Sequence, residues 1–145
     1  MSAFLTLFDL IGELARRRYQ LAEKSFATLG LNHTEARLLS LLRHQGGAAP
    51  QDVLSNMLSV DRTNAGRALQ RLAQEGFLVR SKDDEDKRAN RIEMTAKGRK
   101  ATLQIARLRE QIAETFFGDL NEREAGEVAG LLQRALAKDG PSSSR

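Results

Sequence analysis

The stretch Asp61-Arg62-Thr63-Asn64-Ala65-Gly66-Arg67-Ala68-Leu69-Gln70-Arg71-Leu72 carries the side chains with the most chemistry to offer. Asp61 stands where a helix would begin, and Ala65, Leu69 and Leu72 then recur at helical spacing. One stripe is thereby set aside for burial. Arg62, Thr63, Asn64, Arg67, Gln70 and Arg71 fall on the remaining faces, a set of hydrogen-bond donors suited to a polyanion. In the major groove arginine pairs bidentately with guanine and asparagine with adenine, so Arg62, Thr63 and Asn64 in the first turn are placed to read bases. Against this stands a plain reading of exposed helix-start residues, with Thr63 and Asn64 serving local capping. Arg67 suits a phosphate. Arg71 has two readings: DNA, or an ion pair with nearby acids of the hairpin that follows.

That hairpin supplies the second group. Asp86-Lys87-Arg88-Ala89-Asn90-Arg91 is a basic turn between two strand-like segments. Arg88 is the candidate for the minor groove, where narrow segments attract arginine. Lys87 and Arg91 suit phosphates. Asp83-Asp84-Glu85 oppose DNA and favour the alternative of a solvated charged hairpin. A polar-faced helix and a cationic hairpin so close together point to a chain that grips duplex DNA at two places.

The elements that must hold these groups are legible from periodicity and caps. Phe4, Phe8, Ile11, Ala15, Ala22 and Phe26 trace one face of a helix ended by Gly30. Asn32 with Glu35 three residues on forms a capping box for a second helix, which turns Ala36, Leu39 and Leu42 inward and stops at Gly46-Gly47. Pro50 suits the first turn of a third, short helix containing Val53, Leu54, Met57 and Leu58. Only Ser59-Val60 separates it from Asp61, which makes a helix-turn-helix. Gly76 closes the fourth helix. Phe77–Ser81 and Arg91–Thr95 read as strands, so the module is winged. Thr95 or its neighbour opens a long helix with Ala101, Ile105, Leu108, Ile112 and Phe116 on one face. Asn121 with Glu124 caps a last helix bearing Val128, Leu131, Leu132 and Leu136. The expected fold is mainly α, six helices with a small β-hairpin wing. Residues 32–98 are the winged helix-turn-helix, 1–31 and 99–138 a helical dimerisation region, and 139–145 a flexible tail. The wide apolar faces of the first and last helices need a partner, and a second copy is the simplest one.

Composition removes whole classes. There is no cysteine among the 145 residues, which excludes disulfides, thiolate metal sites and cysteine nucleophiles. The net charge of +4 agrees with nucleic-acid binding without requiring it. No apolar run spans a membrane, and the N-terminus lacks the basic lead of a signal peptide, so a cytoplasmic protein is expected. Neither a nucleophile–base pair nor a phosphate-binding glycine loop nor a metal cluster is apparent, so no enzyme, no cofactor and no metal are expected. His33 and His44, the two histidines, are explained as helix-start and helix-end residues. Arg16-Arg17-Arg18 point three ways around a helix and read as a solvated face with dimer salt bridges. Arg18 with Tyr19 and Phe26 is nonetheless a candidate effector pocket, against the simpler reading of those aromatics as dimer core.

The segments Val53–Arg62 and Arg67–Leu78, and Asp86-Lys87-Arg88 followed by Ile92-Glu93-Met94-Thr95-Ala96-Lys97-Gly98, resemble the MarR family of bacterial transcriptional regulators. The resemblance covers nearly the whole chain. Its most specific part is an Asp-x-Arg wing tip leading to a strand and then Thr-x-x-Gly opening a helix. It implies a homodimer on a palindromic double-stranded operator, mostly a repressor, released by a small aromatic or anionic effector. The alternative is a ligand-independent architectural DNA binder. By the same resemblance, Asp86 holds the Arg88 guanidinium through a two-pronged hydrogen bond. Ala65-Gly66 departs from the family's branched apolar residue followed by threonine or serine, so base preference does not carry over.

Overall fold

The computed structural model describes residues 2–58, 62–82, 84–85 and 88–138. Asp61 as a cap, the Ser59-Val60 turn, Asp86 and Lys87 of the wing, Asp83 and the tail 139–145 lie outside the described residues, as does the side chain of Arg62. The chain divides into two compact units, Met1–Ile112 and Ala113–Arg145. The boundaries expected from sequence, at residues 31 and 98, were drawn by role and differ from these units.

In the first unit, α1 (Ala3–Ala27) starts where the Ser2 hydroxyl accepts from the Phe4 amide at 3.1 Å. Only the C-terminal part of its apolar face is covered. Ala22 and Phe26 are buried in the core, while Phe4, Phe8 and Ile11 are exposed. Gly30, at φ +74°, turns the chain into α2 (His33–His44). The Asn32–Glu35 capping box is present, with both hydrogen bonds at 2.8 Å. Ala36, Leu38, Leu39 and Leu42 of α2 form the centre of the core. Gly46 and Gly47 have positive φ, and the Gly47 amide reaches back to the Leu42 carbonyl at 2.9 Å, ending the helix.

Sequence placed Pro50 in the first turn of a helix; it instead closes a strand, β1 (Ala48–Pro50), and α3 (Gln51–Leu58) begins one residue later. A three-residue strand is too short to show alternation, and proline is tolerated there because β1 lies at the sheet edge. The wing is accordingly a three-stranded antiparallel sheet in the order β1-β3-β2, with β2 at Leu78–Lys82 and β3 at Asn90–Met94. Ile92, fully buried, lies between Ala49 of β1 and Arg80 of β2.

Between α3 and the wing runs α4 (Arg62–Gln74), whose Ala65, Ala68, Leu69 and Leu72 join the core with Leu54 and Leu58 of α3. Val53 of α3 is exposed. Gly76 (φ +82°) ends α4, and the Phe77 amide bonds to the Leu72 carbonyl at 2.9 Å.

The start of α5 (Ala96–Phe116) shows what Thr-x-x-Gly does. The Thr95 hydroxyl accepts from the Gly98 amide at 3.1 Å and donates to the Gly76 carbonyl at 2.6 Å. A Cβ on Gly98 would sit 2.1 Å from the Phe77 carbonyl oxygen, so only glycine lets α5 approach this close. Lys97 completes the joint, donating to the Glu75 carbonyl at 2.6 Å with its ammonium 4.5 Å from the Phe77 ring centre. Ala101 and Ile105 are buried in the same core.

In the second unit, α6 (Glu122–Lys138) begins with the expected box. Glu124 donates its amide to Asn121 at 2.8 Å and returns a carboxylate to the Asn121 amide at 3.0 Å. Its apolar residues Val128, Leu131, Leu132 and Leu136 are exposed.

Candidate nucleic-acid interface

Burial of Ala65, Leu69 and Leu72, each at 0% exposure, fixes which way α4 faces. The opposite side carries Thr63, Asn64, Arg67 and Gln70, all exposed, as sequence periodicity expects. Gly66 lies among them, and a Cβ built there meets nothing within 4 Å. Asn64 and Arg67, together with Asn32, Thr34, Glu35, Ala68 and Arg71, line an open groove of about 260 Å³ between the start of α2 and α4.

Arg71 does pair with an acid, but not with one of the hairpin. Its Nη1 donates to Glu35 Oε1 at 2.8 Å and its Nη2 to the Gly30 carbonyl at 2.9 Å. The acid it pairs with belongs to the α2 cap, not to the wing. Glu35 is 2% exposed, a buried carboxylate that needs a cation beside it. Sequence reasoning missed that Glu35 does two things at once, because the capping-box pattern alone accounts for its presence.

On the wing, Arg88 is exposed and Arg91 is half-exposed, with its Nε 3.8 Å from a Glu93 carboxylate oxygen. The Asn90 side chain donates to Gln51 Oε1 at 3.3 Å, tying the root of β3 to α3. Arg80 and Lys82 of β2 are also exposed and add two cations to this sheet. They were not singled out from sequence, although their spacing of two places them on one side of a strand. Asp84 and Glu85 are exposed nearby in sequence.

Of the three effector candidates, Phe26 is buried in the core, whereas Arg18 and Tyr19 are exposed on α1. The Tyr19 ring packs against His33 at 4.9 Å between centroids, and the Phe26 ring stacks on the same imidazole at 6.5 Å. The His33 amide donates to Glu23, and its Nδ1 is buried without a hydrogen-bond partner. Burial holds the His33 pKa below its ordinary value, Arg37 and Arg18 push the same way, and Glu23 opposes them. Among the described residues no group of three or more His, Cys, Asp or Glu is placed to hold a metal ion.

A sequence profile of the MarR family matches residues 31–89, from the α2 cap to the residue before β3. YybA of Bacillus subtilis (strain 168), named as an uncharacterized HTH-type transcriptional regulator, is 30% identical over 125 residues, covering 86% of this chain and 82% of that protein. The chain belongs to the MarR family. As a MarR-family protein it is a DNA-binding transcriptional regulator and not an enzyme.

Solved structures of MarR proteins share its fold. A mutant MarR of E. coli in complex with operator DNA superposes with a TM-score of 0.79 at 22% identity, over 92% of this chain and 95% of that one. BpsR of Bordetella bronchiseptica, whose DNA binding is regulated by 6-hydroxynicotinic acid, gives a TM-score of 0.77 at 23% identity over 90% and 98%. Among the described residues, no helix is long and apolar enough to cross a membrane.

Proposed function

We propose that this MarR-family regulator is a cytoplasmic homodimer that binds a palindromic operator and represses until a small aromatic or anionic effector releases it. One α4 from each protomer enters the major groove. Arg62, Thr63 and Asn64 meet base edges, and Arg67 and Gln70 meet the adjacent backbone. The wing follows the phosphates with Lys87, Arg91, Arg80 and Lys82, and Arg88, steadied by Asp86, enters the minor groove. The observation that carries this reading is the exposed polar side of α4, Thr63-Asn64-Arg67-Gln70, in the same compact unit as the cationic wing.

The dimer is supported by apolar side chains that have no cover in one copy: Phe4, Phe8 and Ile11 on α1, and Leu131 and Leu136 on α6. Effector release is supported by BpsR, whose DNA binding responds to a hydroxylated aromatic acid. In this chain Arg18 and Tyr19 offer a cation and a ring to such a molecule.

Selection of bound duplexes from random DNA tests the reading, with candidate aromatic acids then added to the complex. A palindromic consensus and loss of binding with one of the acids are expected. Absence of any enriched sequence refutes operator binding, and a complex indifferent to every acid refutes effector release.

A further inference from the structure

We infer that Arg71 is a positioning residue that does not touch DNA, and that with Glu35 it forms a strut setting the roll of α4. The inference rests on the reading of α4 as the DNA-facing helix. Three elements meet at this guanidinium. Nη1 holds the carboxylate that caps α2, Nη2 holds the Gly30 carbonyl beyond the end of α1, and the side chain itself springs from α4.

The Arg71 side chain is nearly half exposed, yet its two hydrogen bonds hold the guanidinium away from a swing toward a phosphate. The Glu35 side chain is 3% exposed, and its Oε1 already accepts from the Asn32 amide. Departure of Arg71 would leave that carboxylate buried with one amide donor on that oxygen and no counter-charge. Arginine's planar fork suits the task, because one rigid group must meet a carboxylate and a carbonyl together. Arg67 precedes Arg71 by one helical turn, and both line the groove with Asn64. A rotation of α4 about its axis that broke the strut would therefore redirect Asn64 and Arg67. The corner at Gly30–Glu35 thus links α1 mechanically to the residues assigned to DNA.

A change of charge separates this role from plain electrostatics. Glu35→Gln removes a negative charge close to the DNA-facing helix, so attraction alone would make binding tighter. A strut predicts weaker binding. The full-length chain is titrated with a duplex recovered from selection, over a range of KCl, reading fluorescence anisotropy. Glu35→Gln and Arg71→Gln should each weaken binding roughly tenfold with an unchanged salt slope. The double variant should be no weaker than the weaker single variant, because each acts through the other. Arg67→Ala, as the control, should lower the slope by about one.

Amide hydrogen exchange across Arg62–Gln74, measured without DNA, should be faster in Glu35→Gln. Equal or tighter binding by Glu35→Gln, a slope lowered by about one in Arg71→Gln, or unchanged exchange in α4 would each overturn the strut. If Arg71→Gln does not fold, Arg71→Lys takes its place, with affinity below that of the wild-type chain and the slope again unchanged. A wild-type chain that binds no DNA refutes the reading of α4, and the exchange measurement still decides the strut.

Discussion

Gly66 and Gly98 are both helical glycines, and their surroundings give them opposite roles. A Cβ at Gly66 meets open space on the exposed side of α4, so Gly66→Ala should stabilise the fold by about 0.5–1 kcal/mol in a urea titration. At Gly98 the added carbon collides with backbone, and Gly98→Ala should cost about 3 kcal/mol or more in the same titration. His33 makes a third prediction. Its pKa is lowered on folding from an ordinary 6.5, so the unfolded chain binds more protons as pH falls through that region. The stability it contributes is complete above about pH 6.5 and is lost as pH falls from there toward the lowered pKa. Tyr19, Glu23 and Arg18 face it from α1 and Arg37 from α2, and of these the nearby anion, Glu23, opposes the effect. His33→Gln should therefore flatten the fall in melting temperature between pH 7 and pH 5, and an undiminished fall would place the sensitivity elsewhere. At this scale the exposed donors of α4 were legible because a helix's buried stripe dictates the rest. Arg71 was not, because its partner lies on another helix, and no local pattern encodes a pairing across 36 residues.

The helices and the two longer strands, β2 and β3, were the readable elements. The boxes at Asn32–Glu35 and Asn121–Glu124 announce α2 and α6 because both partners lie within one turn. Strand β1 was hidden for the opposite reason: its three residues exist as a strand through pairing with β3, far along the chain. The wing makes its own prediction. Arg88→Ala should weaken DNA binding and lower the log–log salt slope by about one, since one cation leaves the phosphate field. An unchanged slope would take the wing out of the interface. Arg80→Ala and Lys82→Ala, on β2, separate contacts of the sheet from contacts of the tip.

At the scale of the whole molecule, uncovered apolar side chains argue for a second copy. Phe4 is 86% exposed and Leu136 is 72% exposed, one in each compact unit. Burying a phenylalanine is worth about 1.5–3 kcal/mol, and a two-fold interface counts it twice. Phe8→Asp should weaken self-association roughly a hundredfold or more in sedimentation equilibrium, and an unaltered dimer would exclude this end of α1 from the interface. The need for a partner was legible in sequence, since helix faces this apolar require cover. What covers them was not, because a periodicity marks a surface without marking what lies against it.

Hydroxyl-radical footprinting on a selected duplex tests the arrangement as a whole. Two equivalent protected patches, centred about one helical turn apart, with further protection in the flanking minor grooves, are what paired α4 helices and wings predict. A single unrepeated patch, or uniform cleavage along the duplex, would contradict it.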